Sequence, residues 1–236
     1  MNTYARLFFR VVIFALIAGI IVVLGLLAKL AIVGGEPTVP RTYIERAYMD
    51  AEEAVKSDPK NARARVALAK AYIAVGRYND AIDQASIGVR LDNKSMDAYM
   101  TLGIAYNKAG QYDNAIVALN KAINNGERGT AELQYQAYIN LGQAYEAQGN
   151  MTKAVEAYSS AYDASSQDVN VGYLYAGALE KVGRIQDAIN VYEDIVAYTP
   201  DDKKARDELI RLNAVLEAQK KEPAKKATAP ATKNSK

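Results

Sequence analysis

Four stretches of this chain repeat one another at a nearly fixed period, and that recurrence restricts the fold more than composition does. LGIAYNKAGQYDNAI from Leu102 and LGQAYEAQGNMTKAV from Leu141 share Leu-Gly, a Tyr three residues after that Gly, a second Gly, and an Ala five residues beyond it. ALAKAYIAVGRYNDAI from Ala67 and YAGALEKVGRIQDAI from Tyr175 extend the set. Units begin at Ala62, Met96, Tyr135 and Val169 and a capping segment at Lys203, spaced by 34, 39, 34 and 34 residues.

The residue types fit two packed helices per unit. A small residue (Ala69, Gly103, Gly142, Ala176) lets the helices of a hairpin approach closely, and Ala81, Ala115, Ala154 and Ala188 do the same from the facing helix. Leu68, Leu102, Leu141 and Tyr175, each four residues before Tyr72, Tyr106, Tyr145 or Leu179, form one apolar stripe at helical spacing. Gly76, Gly110, Gly149 and Gly183 fall where each first helix should end, a place that favours left-handed backbone. On these residues the chain resembles the tetratricopeptide repeat family, whose pattern is W-x2-L-G-x2-Y, then A-x3-F, then P. It departs at the first aromatic site, which holds Arg65, Tyr99, Tyr138 and Gly172, and at the terminal Pro, kept only as Pro200 and as Pro59 before the first unit.

The resemblance covers about residues 43–219 and implies an all-α, right-handed α-solenoid of helical hairpins. A leading helix over 43–59 precedes units 62–95, 96–134, 135–168 and 169–202, and a capping helix over 203–219 closes the array. The five-residue excess of the second unit lies in NNGERGTAEL and is expected to form an enlarged surface turn.

Family analogy places partner contacts on the first helices, along the concave face. The matching residues are Arg63, Val66, Lys70 and Ile73; Asp97, Met100, Ile104 and Asn107; Gln136, Ile139, Gln143 and Glu146; and Asn170, Tyr173, Gly177 and Glu180. This row starts basic and apolar and ends acidic. Val66, Ile73, Met100, Ile104, Ile139 and Tyr173 are expected to be exposed apolar groups unless something covers them, as a groove for an extended or helical segment would require. The leading helix or a second copy of the chain is the alternative cover. Family members that clamp acidic chaperone tails carry Lys and Asn where this chain has Val66 and Lys70, so that activity does not transfer.

Both ends differ from the array. Residues 1–10 form a short basic N-terminus, and Val11 to Ala28 run 18 residues without a charge. Extended to Val33, the stretch reaches roughly 34 Å as a helix, enough for a hydrocarbon core of about 30 Å. Residues 11–33 are therefore expected to be a transmembrane helix, with Lys29 snorkelling near its far end and 34–42 as linker. Its apolar run is longer than a cleaved signal peptide's, and no Ala-x-Ala pair lies near its end. Arg6 and Arg10 before the span favour a cytoplasmic N-terminus, with the array outside the cytoplasm of a bacterial inner membrane. The tail, 220–236, has six Lys against Glu222 and no large apolar residue; it is expected to be disordered, with anionic lipid or wall polymer as an alternative contact.

The net charge of +2 hides a partition: residues 42–219 carry 19 Lys/Arg against 25 Asp/Glu, an acidic body ill-suited to nucleic acid. The chain has no Cys, His or Trp, which removes thiol chemistry, the commonest general base and the usual zinc ligands. No phosphate-binding glycine loop, GxSxG or calcium loop is present, and Ser57-Asp58-Pro59-Lys60, which has the spacing of serine–lysine acyl enzymes, sits in an inter-unit turn. Most of the seventeen tyrosines fall at interior repeat sites. The expectation is a membrane-anchored scaffold or assembly factor for protein or peptide partners, without catalysis, cofactor or metal. A chaperone-like receptor beside a translocation machinery and a self-assembling structural component are the alternatives.

Overall fold

The computed structural model describes residues 42–124, 130–165 and 168–227, with side chains to residue 219. By compactness the chain divides into residues 1–46 and 47–236. The expected basic N-terminus and transmembrane helix, 1–33, lie outside the described residues, as does nearly all of the linker. Among the described residues no helix is long and apolar enough to cross a membrane.

Of the first part, residues 42–46 are described. Thr42 and Glu45 exchange reciprocal 3.1 Å bonds between side chain and backbone N–H, a capping box that starts a helix.

Ten helices make up the described chain, with no strand among these residues: α1 (Tyr43–Ser57), α2 (Ala62–Ala74), α3 (Tyr78–Leu91), α4 (Met96–Lys108), α5 (Tyr112–Asn124), α6 (Ala131–Ala147), α7 (Met151–Ala164), α8 (Val169–Lys181), α9 (Ile185–Tyr198) and α10 (Lys203–Ala227). They pair as α2–α3, α4–α5, α6–α7 and α8–α9, with α10 against α9. This is a tetratricopeptide-type helical solenoid in the register expected from the 34-residue period.

The turns explain why the helices stop where they do. Gly76, Gly110, Gly149 and Gly183 have φ of 75–81°, a conformation that costs a residue with a Cβ about 1–2 kcal/mol. At the first, the N–H of Gly76 bonds Ile73 O and that of Arg77 bonds Tyr72 O, so two orphan carbonyls of α2 are satisfied. The other three turns repeat this pair of bonds. Asn61, Ser95, Thr130 and Asp168 cap the first helices of the units with their side chains, and Asn150 caps the second helix α7.

Inside the hairpins the small residues are required by contact. A Cβ on Gly103 would stand 2.5 Å from Leu119 Cγ, and one on Gly142 would stand 2.4 Å from the Tyr158 ring. Ala81, Ala115, Ala154 and Ala188 are fully buried opposite them. Tyr72, Tyr135, Tyr158, Tyr162 and Tyr192 are core residues, as expected. The hydroxyls of Tyr135, Tyr158, Tyr162 and Tyr192 donate to Asp168, Glu146, Asp194 and Glu180.

Two boundaries differ from expectation. Part of the excess in the second unit is helix: α6 begins at Ala131, a turn before the unit starts at Tyr135. Residues 125–129 lie outside the described residues. The capping helix runs past 219 to Ala227, because Lys, Gln and Ala favour helix even where no large apolar residue anchors them. The remainder of the tail, 228–236, is not among the described residues.

Candidate functional site

First helices of successive units touch one another as well as their own second helices: α2 meets α4, and α4 meets α6. That proximity buries two of the residues expected to be open. Val66 is 5% exposed and Met100 3% exposed. Val66 Cγ2 would be 2.9 Å from a Cβ on Gly88, so it plugs the approach of α2 to α3, while Met100 joins a core with Ala122, Leu119 and Leu141. Ile73, Ile104, Ile139 and Tyr173 are half-buried. The continuous exposed apolar strip expected from the sequence is therefore absent from the described first helices.

Most polar members of the row are committed to partners within the array. Lys70 Nζ lies 2.7 Å from one carboxylate oxygen of Asp97 and donates to the other at 2.9 Å, tying unit one to unit two. Asn107 Nδ2 donates to Asn140 O at 2.8 Å and ties unit two to unit three. Glu146 accepts from Tyr158 at 2.8 Å and from Lys181 of the next unit. Burial opposes its charge, but the Lys181 ammonium and the Tyr158 hydroxyl outweigh that and hold its carboxyl below the usual carboxylate range. Glu180 repeats the device, accepting from Tyr192 at 3.2 Å and from Arg211 of the capping helix. Tyr173 donates to Asp202 at 2.9 Å beneath Lys204, whose Nζ stands 3.9 Å from the ring centroid. Burial and that hydrogen bond push its hydroxyl up to about 12. Gln136 bonds Glu132 within its own helix, and Gln143 and Asn170 are exposed. Gly177 has open space where a side chain would begin.

One cleft remains with ungathered chemistry. A space of about 470 Å³ opens between α2 and α4, lined by Ala62, Arg63, Val66, Ala67, Lys70, Asp92, Ser95, Met96, Asp97 and Leu133. It brings together four residues of the expected row: Arg63, Val66, Lys70 and Asp97. Lys70 and Asp97 neutralise each other there. Arg63 is exposed and makes no hydrogen bond or ion pair among the described residues. The wall thus offers one free guanidinium beside apolar surface from Ala67 and Leu133, with Val66 and Met96 buried behind them. Leu133 escaped the sequence reading because it belongs to the extra turn of α6; the length of the insertion was the only signal for it.

Two family models described as tetratricopeptide repeat match the sequence, one over residues 66–129 and 100–169 and the other over 44–87 and 145–210. No curated protein matches it. Among solved structures, a crystal structure of MamA aligns with a TM-score of 0.58 at 25% identity, covering 70% of this chain and 99% of that one. A second MamA structure aligns at 0.57 and 28% identity, covering 68% and 85%. PilF of Pseudomonas aeruginosa shares the fold at a TM-score of 0.63 and 19% identity, covering 75% and 78%.

Proposed function

The chain belongs to the tetratricopeptide repeat family, and from that premise we propose that it is a membrane-anchored scaffold whose α2–α4 cleft holds an acidic, partly apolar segment of a protein partner. The observation that carries the reading is Arg63, a cation without a partner among the described residues on a row whose other charged members are paired within the array. An acidic side chain of the partner would pair with it, while an apolar neighbour packs on Ala67 and Leu133. Proteins built of these repeats are generally non-catalytic scaffolds, and the committed carboxylates support binding over chemistry. Glu146 and Glu180 hold neighbouring units together, so they serve the array and not the partner.

Anchoring rests on the 18 uncharged residues from Val11 to Ala28. With Arg6 and Arg10 ahead of them, the positive-inside rule supports an array outside the cytoplasm of a bacterial inner membrane.

Affinity capture of the tagged full-length protein from membranes tests the binding reading. Wild type and Lys94→Glu, a charge reversal outside the cleft, should retain the same co-purifying protein, and Arg63→Glu should lose it. Retention by Arg63→Glu would sink the assignment of the cleft, and a spread of unrelated polypeptides would favour the chaperone-like receptor.

A further inference from the structure

The two ends of the array are half-repeats of opposite kind. α1 occupies a second-helix position: Ala47 precedes Pro59 by twelve residues, as Ala188 precedes Pro200. No first helix pairs with it among the described residues. α10 occupies a first-helix position, and no second helix follows it among those residues.

Among the described residues each half-repeat exposes part of the face that a mate covers in the complete hairpins. In the four complete hairpins the Ala of the second helix, Ala81, Ala115, Ala154 or Ala188, is 0% exposed. Ala47, at the same site of α1, is exposed, and so is Ala54, whose counterparts Gly88, Ala122, Ala161 and Ile195 are buried. The small site of each first helix is buried in every complete hairpin. It points at that unit's own second helix, since a Cβ on Gly103 would meet Leu119 and, at 3.4 Å, Ala115 O. In α10 that site holds Ile210, which is 71% exposed, the largest value for any large apolar side chain among the described residues from 47 onward.

Charge is complementary across the same two faces. In the first unit Arg65 Nη1 donates to Gln84 Oε1 at 2.7 Å, which links the first aromatic site of a first helix to a fixed site on its second helix. The equivalent residues of the half-repeats are Arg206 on α10 and Asp50 on α1. Arg206 makes only a 3.5 Å contact to Asp201 O, and Asp50 is exposed with no bond or ion pair among the described residues.

We propose that the half-repeats complete one another between copies: α10 of one copy docks as first helix against α1 of the next. Ile210 then packs over Ala47 and Ala51, the counterparts of Ala115 and Leu119, inverting the Gly103–Leu119 fit, and Arg206 pairs with Asp50. Such a contact uses different patches on the two copies, so it is heterologous and propagates into a ring or a filament. The inference is independent of the cleft, which lies on other residues.

The chain has no Cys, so introduced thiols are its only ones. Differently tagged full-length Ala47→Cys and Ile210→Cys proteins, purified in detergent, are mixed and treated with a short bismaleimide. Adducts between position 47 of one copy and 210 of the other are expected, and the double variant should give a ladder of higher oligomers. Asp50→Arg should lower the adduct yield about tenfold, and Asp50→Arg with Arg206→Asp should restore it. Both thiol positions are exposed, so the fold is retained; far-UV circular dichroism checks this, and sedimentation of the unmodified chain should show concentration-dependent mass. A constant monomer mass without 47–210 adducts would overturn the proposal, as would a predominance of 47–47 or 210–210 adducts. Loss of these adducts with Arg63-dependent capture intact would refute this inference alone.

Discussion

Gly142→Ala should destabilise the array although Ala is the better helix former. The new Cβ would lie 2.4, 2.5 and 2.9 Å from three atoms of the Tyr158 ring. That ring has 0% exposure, and its hydroxyl is held by Glu146, which is held in turn by Lys181. It cannot swing aside without giving up its bond to Glu146, the same carboxylate that Lys181 of the fourth unit holds. Overpacking of this kind costs about 1–3 kcal/mol, and the Gly-to-Ala gain in a helix returns about 1. A net loss of up to about 2 kcal/mol follows, or up to about 8 °C in midpoint for a domain of this size. Gly177→Ala is the matched control: it lies in the next first helix with nothing within 4 Å of its would-be Cβ, and should gain about 1 kcal/mol. Gly103→Ala should fall between, because Leu119, unlike Tyr158, is a flexible aliphatic chain. Urea unfolding of the full-length variants, followed by circular dichroism, gives the ranking. If Gly142→Ala proved as stabilising as Gly177→Ala, the argument that close helix approach fixes this site would be wrong.

Three more outcomes follow from the same reasoning. Glu146 has a lowered folded pKa, so its contribution is present above the unfolded carboxylate value and lost as pH falls through the folded one; Glu146→Gln should flatten the stability profile below about pH 4.5, measured by thermal melts across pH. Thr101 is fully buried with no partner for its hydroxyl among the described residues, so Thr101→Val should be neutral or stabilise by about 1 kcal/mol in urea unfolding, and a loss would reveal a missed hydrogen bond. Ile17→Lys with Val22→Lys adds about 2.5–3.5 kcal/mol per charge to insertion and should release the protein from membranes at alkaline pH; full retention would refute anchoring by 11–33.

The hairpin register was legible because it rests on local sterics. A Gly with φ near 80° at Gly76 and a Gly 2.5 Å from a facing side chain at Gly103 each leave a nearly unmistakable residue at a fixed spacing. The state of the first-helix row was less so. Whether Val66 is open depends on how near α3 lies, and that is set by Gly88, 22 residues away. Glu146 reads as a free acid until Tyr158 and Lys181 converge on it from two other helices. The extra turn of α6 was hidden because an insertion breaks the period that makes the rest readable. The half-repeats were visible as a leading and a capping helix, but the exposure of Ala47 and Ile210 emerged only when each was set beside its buried counterparts.

The central claim is that partners engage the α2–α4 cleft, and site-specific photo-crosslinking in cells tests it most directly. A photo-reactive residue at Ala67, on the cleft wall, is compared with one at Val117, which is 57% exposed on a second helix. The account predicts a discrete partner adduct at 67 that Arg63→Glu abolishes, and none at 117. Adducts at 117 alone, or equal adducts at both positions, would contradict it.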